Sequence, residues 1–187
     1  ERSSGVDQAG ERIRMTLWTA LGSALIRPVT QVWLRSSSNS WRSLPRPETD
    51  AVVTAGEAPV GTKPVSILLL GSGPAVGLGV LSHELGLAGH IARQLFAASG
   101  RATSVQTIVD MDMRAEDAAA TLGWVALDRF DGLLVTFGGN EVLALVSDRS
   151  WRRSLRGFFD TVGGFSSAGL ATFVLGVAPI SSLVTLP

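Results

Sequence analysis

The 187-residue chain lacks cysteine and tyrosine and has only two histidines, His83 and His90. Without cysteine it cannot form a disulfide, use a thiol nucleophile or build a thiolate metal site. The missing tyrosine removes a further acid–base group, and two histidines are too few for a multi-histidine centre. We therefore expect no bound metal.

The sequence also lacks an excess of charge of either sign, because 16 basic residues balance 16 acidic ones. A neutral chain gives no electrostatic reason to expect nucleic acid as a partner. Hydrophobic residues make up 45% of the chain, which is sufficient for the core of one domain with an appendage. The absence of cysteine fits a reducing compartment, so a cytoplasmic or membrane-associated location is favoured.

The apolar run near the N-terminus is too short to span a membrane. Residues 15–26 form a run of 12 residues that ends at Arg27, whereas a spanning helix needs roughly 20. Residues 12–35 are therefore predicted to form an amphipathic helix that contacts the domain, a protein partner or a membrane surface. A signal peptide is an alternative, since two arginines precede the apolar run.

The chain divides into three segments by composition. Residues 1–35 contain a polar tail and the amphipathic segment. Residues 36–64 are rich in serine, proline and glycine, which is typical of a linker that lies over the surface. Residues 65–187 alternate apolar runs with helical patterns, so we expect them to form the folded domain.

Within that domain the order of elements predicts an α/β fold. Three near-continuous apolar runs, 65–70, 132–137 and 170–177, and the alternating segment 103–109 are predicted strands. Three segments with helical spacing lie between them, at 82–100, 114–122 and 147–162. This alternation is typical of a central parallel sheet covered on both faces. Ligands of such sheets bind beyond the carboxyl ends of the strands, so any chemistry should come from the loops there.

The loop "GSGPAVGLG" after the first predicted strand invites a dinucleotide-binding interpretation. Its glycine spacing differs from G-x-G-x-x-G, and no acidic residue follows about 20 residues later. The predicted helix also begins too late for its amides to reach a phosphate beside Gly73. We therefore expect no cofactor, and a nucleotide-binding domain is a weak alternative.

The block "TFGGNEV" after the third predicted strand places the Asn140 amide at the same edge of the sheet. An asparagine there can donate a hydrogen bond to an oxyanion that develops during catalysis. It can also stabilise a left-handed turn or cap the following segment. The motif alone does not choose between these two roles.

Four segments together carry a family resemblance: "ILLLGSGPAVGLGV", "SHELGLAGHIARQL", "FDGLLVTFGGNEV" and "SWRRSLRGFFDTV…VLGVAPI". In order and spacing, residues 65–179 are similar to the SGNH hydrolases, also called GDSL-type esterases. The resemblance implies a three-layer α/β/α domain of flavodoxin-like type with a central parallel sheet. It also implies a serine nucleophile after the first strand, a side-chain oxyanion donor at Asn140 and hydrolysis of acyl or acetyl esters.

The chain departs from that family at several functional positions. The family's serine corresponds to Gly73, which has no side chain, and its aspartate corresponds to Ser72. The loop after the second strand carries Asp112 and two methionines in place of a glycine, and Glu141 replaces an aspartate. The Asp-x-x-His block that supplies the family's general base does not occur before Pro187, so the domain is predicted to be C-terminally incomplete.

These departures predict a catalytically inactive member that acts as a binding, scaffolding or accessory subunit. The candidate catalytic residues are Ser72, as a displaced nucleophile, and Asn140, and a vestigial pocket for an acyl ligand would involve Gly73, Asp112, Gly139 and Glu141. The alternative is an active serine ester hydrolase, which would need a base to activate its serine.

Two further features are interpreted as structural. Arg149, Arg152, Arg153 and Arg156 recur at helical spacing, which is typical of a solvated helix face. Trp124 and Trp151 are predicted to pack in or beside the core.

Overall fold

The computed structural model describes residues 44–48, 50–59, 61–165 and 170–176. The strands are β1 (Asp50–Ala55), β2 (Val65–Gly71), β3 (Thr103–Val109), β4 (Gly132–Thr136) and β5 (Ala171–Leu175). The α-helices are α1 (Leu87–Ser99), α2 (Ala115–Leu122), α3 (Gly139–Leu143) and α4 (Asp148–Phe165), and a short 3-10 turn spans Gly73–Val76. The predicted segment 12–35 and residues 177–187 lie outside the described residues.

The strands form one sheet in the order β1-β3-β2-β4-β5. Strands β2 to β5 run parallel to their neighbours, and β1 pairs antiparallel with β3. Helix α1 packs on one face, whereas α2 and α4 pack on the other. The predicted α/β class with a central, mostly parallel sheet is therefore confirmed.

Two apolar clusters hold these layers together. On the face covered by α1, Leu69 and Val105 of the sheet pack with Ala88 and Ala92 of the helix. On the other face, Leu68 and Leu70 of β2 pack with α2 and with Phe158 of α4. Burial of both faces explains why β2 is apolar at successive positions rather than alternating.

Strand β1 lies inside the range that the sequence predicts to be a linker. Its residues alternate, because Val53 is buried on the α1 face and Val52 is 59% exposed. An edge strand that buries only one face needs only a few apolar residues. Because prolines and glycines flank this short pattern, the segment has the composition of a linker. The prediction that residues 36–64 form a linker therefore missed β1, which forms one edge of the sheet.

Helix α1 also begins five residues later than the predicted start at residue 82. The intervening residues form turns, in which the amides of Leu85 and Gly86 donate to the carbonyls of Ser82 and His83. The helix ends where the sequence indicates, at Gly100, whose φ of 67° allows the left-handed cap. The loop between β2 and α1 is consequently long and approaches the edge where functional residues are expected.

The opposite edge of the sheet is incompletely covered by the described residues. In β5, Phe173 is 62% exposed and its neighbours Val174 and Leu175 are 49% and 40% exposed. Trp124, which the sequence places in the packing, is instead 93% exposed in the turn after α2, so that prediction is wrong. Trp151 is half-buried on α4 against the core, as predicted.

No helix among the described residues is both long and apolar enough to cross a membrane.

Asp131 ties the start of β4 to the start of β2, and its removal should produce a pH-dependent loss of stability. The Ser66 amide donates to Asp131 Oδ2 at 2.9 Å, and Lys63 Nζ lies 3.1 Å from Oδ1. The Ser66 hydrogen bond lowers the pKa of Asp131 below its ordinary value of 3.8, with help from Lys63 and Arg101 and against partial burial.

A depressed carboxyl pKa stabilises the fold above the unfolded-state value, and that stability is lost as the pH falls through the folded-state pKa. We expect Asp131→Asn to lower the free energy of unfolding by at most about 1 kcal/mol at neutral pH, since the ion pair is exposed to solvent. The difference from the wild type should vanish well below pH 3.8. Urea unfolding of both proteins, from neutral pH to well below pH 3.8, measures this difference in stability. A difference that does not change with pH would contradict the prediction.

Candidate functional site

A cleft of about 490 Å³ lies at the carboxyl edge of the sheet, where the loops after β2, β3 and β4 meet. Its walls are mainly apolar, and the lining residues are Ser72, Gly73, Pro74, Val76, Leu78, Leu87, Met111, Thr136, Phe137, Gly139, Asn140, Leu143, Leu175 and Gly176. Among these residues none has an ionisable side chain. The position agrees with the rule that parallel sheets bind ligands beyond the carboxyl ends of their strands.

Gly71 joins β2 to the floor of the cleft by a close approach to β4. Its φ of 137° suits glycine, and a β-carbon there would collide with the carbonyl oxygen of Thr136. The next residue is held by two hydrogen bonds, since the Ser72 amide donates to Thr136 O at 2.9 Å and Thr136 Oγ1 donates to Ser72 O at 2.8 Å. The backbone of Ser72 is therefore fixed against β4.

Ser72 and Gly73 both line the cleft, but only Ser72 has a hydroxyl. Ser72 is 4% exposed, has an extended backbone and makes no side-chain cap to the 3-10 turn that follows. Gly73 is exposed, with a φ of 62°, and a β-carbon there would meet nothing within 4 Å. The space at Gly73 is open and could hold a side chain. The cleft has no side chain at this position because the residue is glycine, not because neighbouring atoms exclude one.

The Asn140 amide points at the loop after β3. Its Nδ2 donates to the carbonyl oxygens of Met111 at 2.8 Å and Met113 at 3.0 Å. Two acceptors on one side fix the amide orientation, because the oxygen of an amide cannot donate. Both N–H groups of Asn140 are thus used inside the protein, and neither is directed at a ligand in the cleft.

Glu141 is buried behind the cleft and is not among its lining residues. Its Oε1 accepts a hydrogen bond from the Ala115 amide at 2.9 Å, and its Oε2 accepts one from the Gly138 amide at 3.0 Å. Ala115 is the first residue of α2, where unpaired amides and the helix dipole favour a carboxylate. The side chain consequently joins the loop after β4 to the helix after β3.

Of the two remaining predicted site residues, one lines the cleft and the other does not. Gly139 lines the cleft, whereas Asp112 is exposed on the loop after β3 and does not line it. The Asp112 amide donates to Asp110 Oδ1 at 2.8 Å, which shapes that loop. The structure therefore brings Ser72, Gly73, Gly139 and Asn140 together and leaves Asp112 and Glu141 outside.

Neither histidine lines the cleft. His83 is 3% exposed, and its Nε2 lies 2.7 Å from the carbonyl oxygen of Glu48. Because a carbonyl only accepts, Nε2 carries the proton, and Nδ1 has no hydrogen-bond partner among the described residues. His90 is exposed on α1 and lines a different groove.

Sequence reasoning missed the apolar residues that give the cleft its character, including Phe137, Leu143 and Leu175. Phe137 directly follows the buried strand β4, whereas Leu143 ends helix α3 and Leu175 ends the exposed strand β5. Apolar residues at such positions are equally expected in a core, so no specific signal for them was present in the sequence. Arg46 was missed as well. It lies in the predicted linker, yet its Nη1 is 2.9 Å from Sδ of the lining residue Met111. Among the described residues no group of three or more histidine or acidic side chains could hold a metal ion.

The hydrogen bonds of Asn140 give a testable consequence. Asn140→Ala should lower the free energy of unfolding by about 2 kcal/mol, since two carbonyls lose their donor. Asn140→Asp should cost more, because a carboxylate would face the same two carbonyls. Chemical denaturation of both variants measures this, with Glu57→Ala, an exposed residue after β1, as a control that should cost little. A stability loss no larger than that of the control would contradict the assigned contacts.

Comparisons with known proteins support the fold. No protein-family model matches the chain, and no curated protein matches it. Among solved structures, a mutant of a protein titled "Esterase AlinE4" superposes with a TM-score of 0.54 at 17% identity. The alignment covers 64% of this chain and 63% of that one, so it spans less than two thirds of the esterase. At this identity the likeness concerns the fold alone, an α/β fold with a central, mostly parallel sheet.

Proposed function

We propose that the cleft binds an apolar acyl ligand without hydrolysing it, and that the chain acts as a binding or accessory subunit with a degenerate SGNH-hydrolase fold. The single observation that carries this proposal is that no described residue lining the cleft is ionisable. A serine attacks an ester efficiently only when an adjacent base removes its proton. The Ser72 hydroxyl has no such neighbour in the lining.

The other polar groups of the cleft support the same conclusion. Thr136 Oγ1 donates to Ser72 O, and both Asn140 N–H groups bind the loop after β3. Among the described lining residues, the Ser72 hydroxyl is then the one side-chain donor left for an oxyanion, and a serine that attacks the ester cannot also serve as that donor. What the walls offer instead is apolar surface, whose burial favours binding by roughly 25 cal/mol per Å².

An active ester hydrolase that uses Ser72 is the second candidate, favoured by the position of its hydroxyl in the cleft. A nucleotide-binding loop has less support. Helix α1 begins at Leu87, 14 residues after Gly73, so its amides do not follow the glycines directly.

Binding and hydrolysis are separated by two assays on the same protein. We expect no turnover of p-nitrophenyl acetate above the buffer rate and no covalent labelling by a fluorophosphonate. Gly73→Ser should remain inactive, because the new hydroxyl also lacks a base. A rate above buffer that disappears in Ser72→Ala would overturn the proposal in favour of the esterase.

Acyl binding has a matched pair of variants on α3. Leu143 lines the cleft and is 37% exposed, whereas its neighbour Val142 is 44% exposed and does not line it. Leu143→Asp should weaken binding of a fluorescent fatty-acid probe by about tenfold or more, since a carboxylate would face the apolar chain and repel the carboxylate of the probe. Val142→Asp should leave the affinity within about twofold. No saturable binding by the wild type would sink this part of the proposal.

A further inference from the structure

The sheet has an uncovered apolar groove on the face that carries α1. Helix α1 packs on β1, β3 and part of β2, and the β4–β5 half of that face has no described helix above it. The resulting β4–β5 groove has a volume of about 390 Å³ and is lined chiefly by Ile67, Ile91, Leu95, Leu134 and Phe173. It lies away from the cleft at the carboxyl edge.

The register of the strands places these residues on one face. Phe173 pairs with Leu134, and Leu134 pairs with Leu69, whose side chain belongs to the cluster under α1. Phe173 is nevertheless 62% exposed. A parallel sheet is normally covered on both faces, so within the described ranges this half lacks the cover that its composition requires.

We propose that the chain's own apolar segment, residues 15–26, occupies the β4–β5 groove as a helix. The lengths agree, because 12 residues form a helix of about 18 Å, and the five paired residues of β4 and β5 extend about 16 Å. Leu17, Leu21 and Leu25 recur at four-residue spacing and would form the stripe that faces the sheet.

The point where the chain enters the described structure also suits this occupant. The Gly79 amide donates to Pro45 O at 2.9 Å, and His83 contacts Glu48 O. Both partners lie in the connection from β2 to α1, so residues 44–48 reach the domain on the α1 side. Residues 27–43 provide 17 residues, which span up to about 56 Å when extended, more than the width of such a domain face requires.

The competing occupants are weaker on the same observations. The described chain leaves β5 at the carboxyl edge, where Leu175 and Gly176 line the cleft, so the residues after 176 begin beside the cleft and not beside the β4–β5 groove. A second copy of the chain and a bilayer surface remain as outcomes of the test.

Because the chain has no cysteine, introduced cysteines would be its only thiols in a cross-linking test. We would introduce the pair Leu21→Cys and Phe173→Cys into the full chain and treat it with a short bismaleimide at low protein concentration. The expected product is a cross-link within one chain, formed at least about tenfold more efficiently than from a control pair, because docking raises the local concentration of the two thiols. The control joins Leu21→Cys to Arg153→Cys, an exposed position on the opposite face.

Each alternative gives a different result, and each would overturn the proposal. Dimers joined through residue 173 would indicate a second copy. Efficient reaction between Leu183→Cys and Phe173→Cys, without reaction from residue 21, would indicate the C-terminal segment. A chain that gives no internal product and floats with phosphatidylcholine–phosphatidylglycerol liposomes would place residues 15–26 on a bilayer.

A second measurement does not depend on the cysteine pairs. The double variant Leu17→Asp and Leu21→Asp should undock the segment and expose the groove. Binding of the dye bis-ANS should then increase severalfold relative to the wild type, while the circular dichroism of the domain persists. Unchanged dye binding would contradict docking. Acyl-probe binding in the cleft should be unaffected, which keeps this result separate from the proposed function.

Discussion

Replacing Gly71 with alanine is expected to lower the free energy of unfolding by about 3–5 kcal/mol. The new β-carbon would collide with Thr136 O and lie 2.6 Å from Thr136 Oγ1, at a φ of 137° that L-residues rarely adopt. Because the obstacle is backbone of the adjacent strand, no side-chain rotation can relieve it. The β2–β4 contact at the floor of the cleft must therefore open, and equilibrium denaturation should record the loss.

Gly73 provides the matched control two residues away. It also has a positive φ, but a β-carbon there meets nothing within 4 Å. Gly73→Ala should therefore cost only the conformational penalty of a left-handed residue, about 1 kcal/mol. If the two alanine variants were equally stable, the close approach of Gly71 to Thr136 would be wrong.

The contrast between these glycines shows how the cleft is constructed. Gly71 allows the first strand to approach β4 and so fixes the backbone of Ser72 through Thr136. Gly73 permits the turn but leaves open space above it. The glycine-rich loop therefore shapes the cleft through its backbone, and Ser72 is its one residue with a hydroxyl group.

The sequence predicted the central sheet well because buried parallel strands leave a strong signal. Strands β2 and β4 are short apolar runs and β3 alternates in burial, and the structure places all three within a residue or two of the predicted bounds. Strand β1 escaped prediction because it buries one face only and sits among prolines and glycines. The start of α1 escaped because successive turns continue the apparent helical spacing.

The location of the site was also predictable, whereas the orientation of its groups was not. Ser72 and Asn140 each follow a buried strand, so parallel topology brings them to one edge. The direction of the Asn140 amide depends on two carbonyls from a loop 27 and 29 residues earlier. Likewise, Trp124 is followed in the sequence by apolar residues that suggest a buried position. Only the tertiary structure shows that its side chain is exposed.

Glu141 illustrates this difference most sharply, and its removal should have an effect as large as that at Gly71. Sequence reasoning assigned it to ligand binding, but its carboxylate accepts from Ala115 and Gly138 in a site that is 6% exposed. Glu141→Ala leaves two buried amides without an acceptor. Because hydrogen bonds to a charged group contribute about 1.5–3 kcal/mol each, we expect a loss of about 3–5 kcal/mol.

The glutamine variant identifies the cause of that loss. Glu141→Gln keeps one oxygen acceptor but turns an NH₂ group toward the second amide, so its cost should fall between those of the wild type and Glu141→Ala. Glu57→Ala, an exposed glutamate after β1, should change stability by no more than about 0.5 kcal/mol. Hydrogen exchange should also quicken at Ala115 and Gly138 in the alanine variant. If the Glu141→Ala protein were stable but bound the acyl probe more weakly, Glu141 would instead be a ligand-binding residue. A carboxylate that contacts only the ligand can be removed without destabilising the segments that contain Ala115 and Gly138.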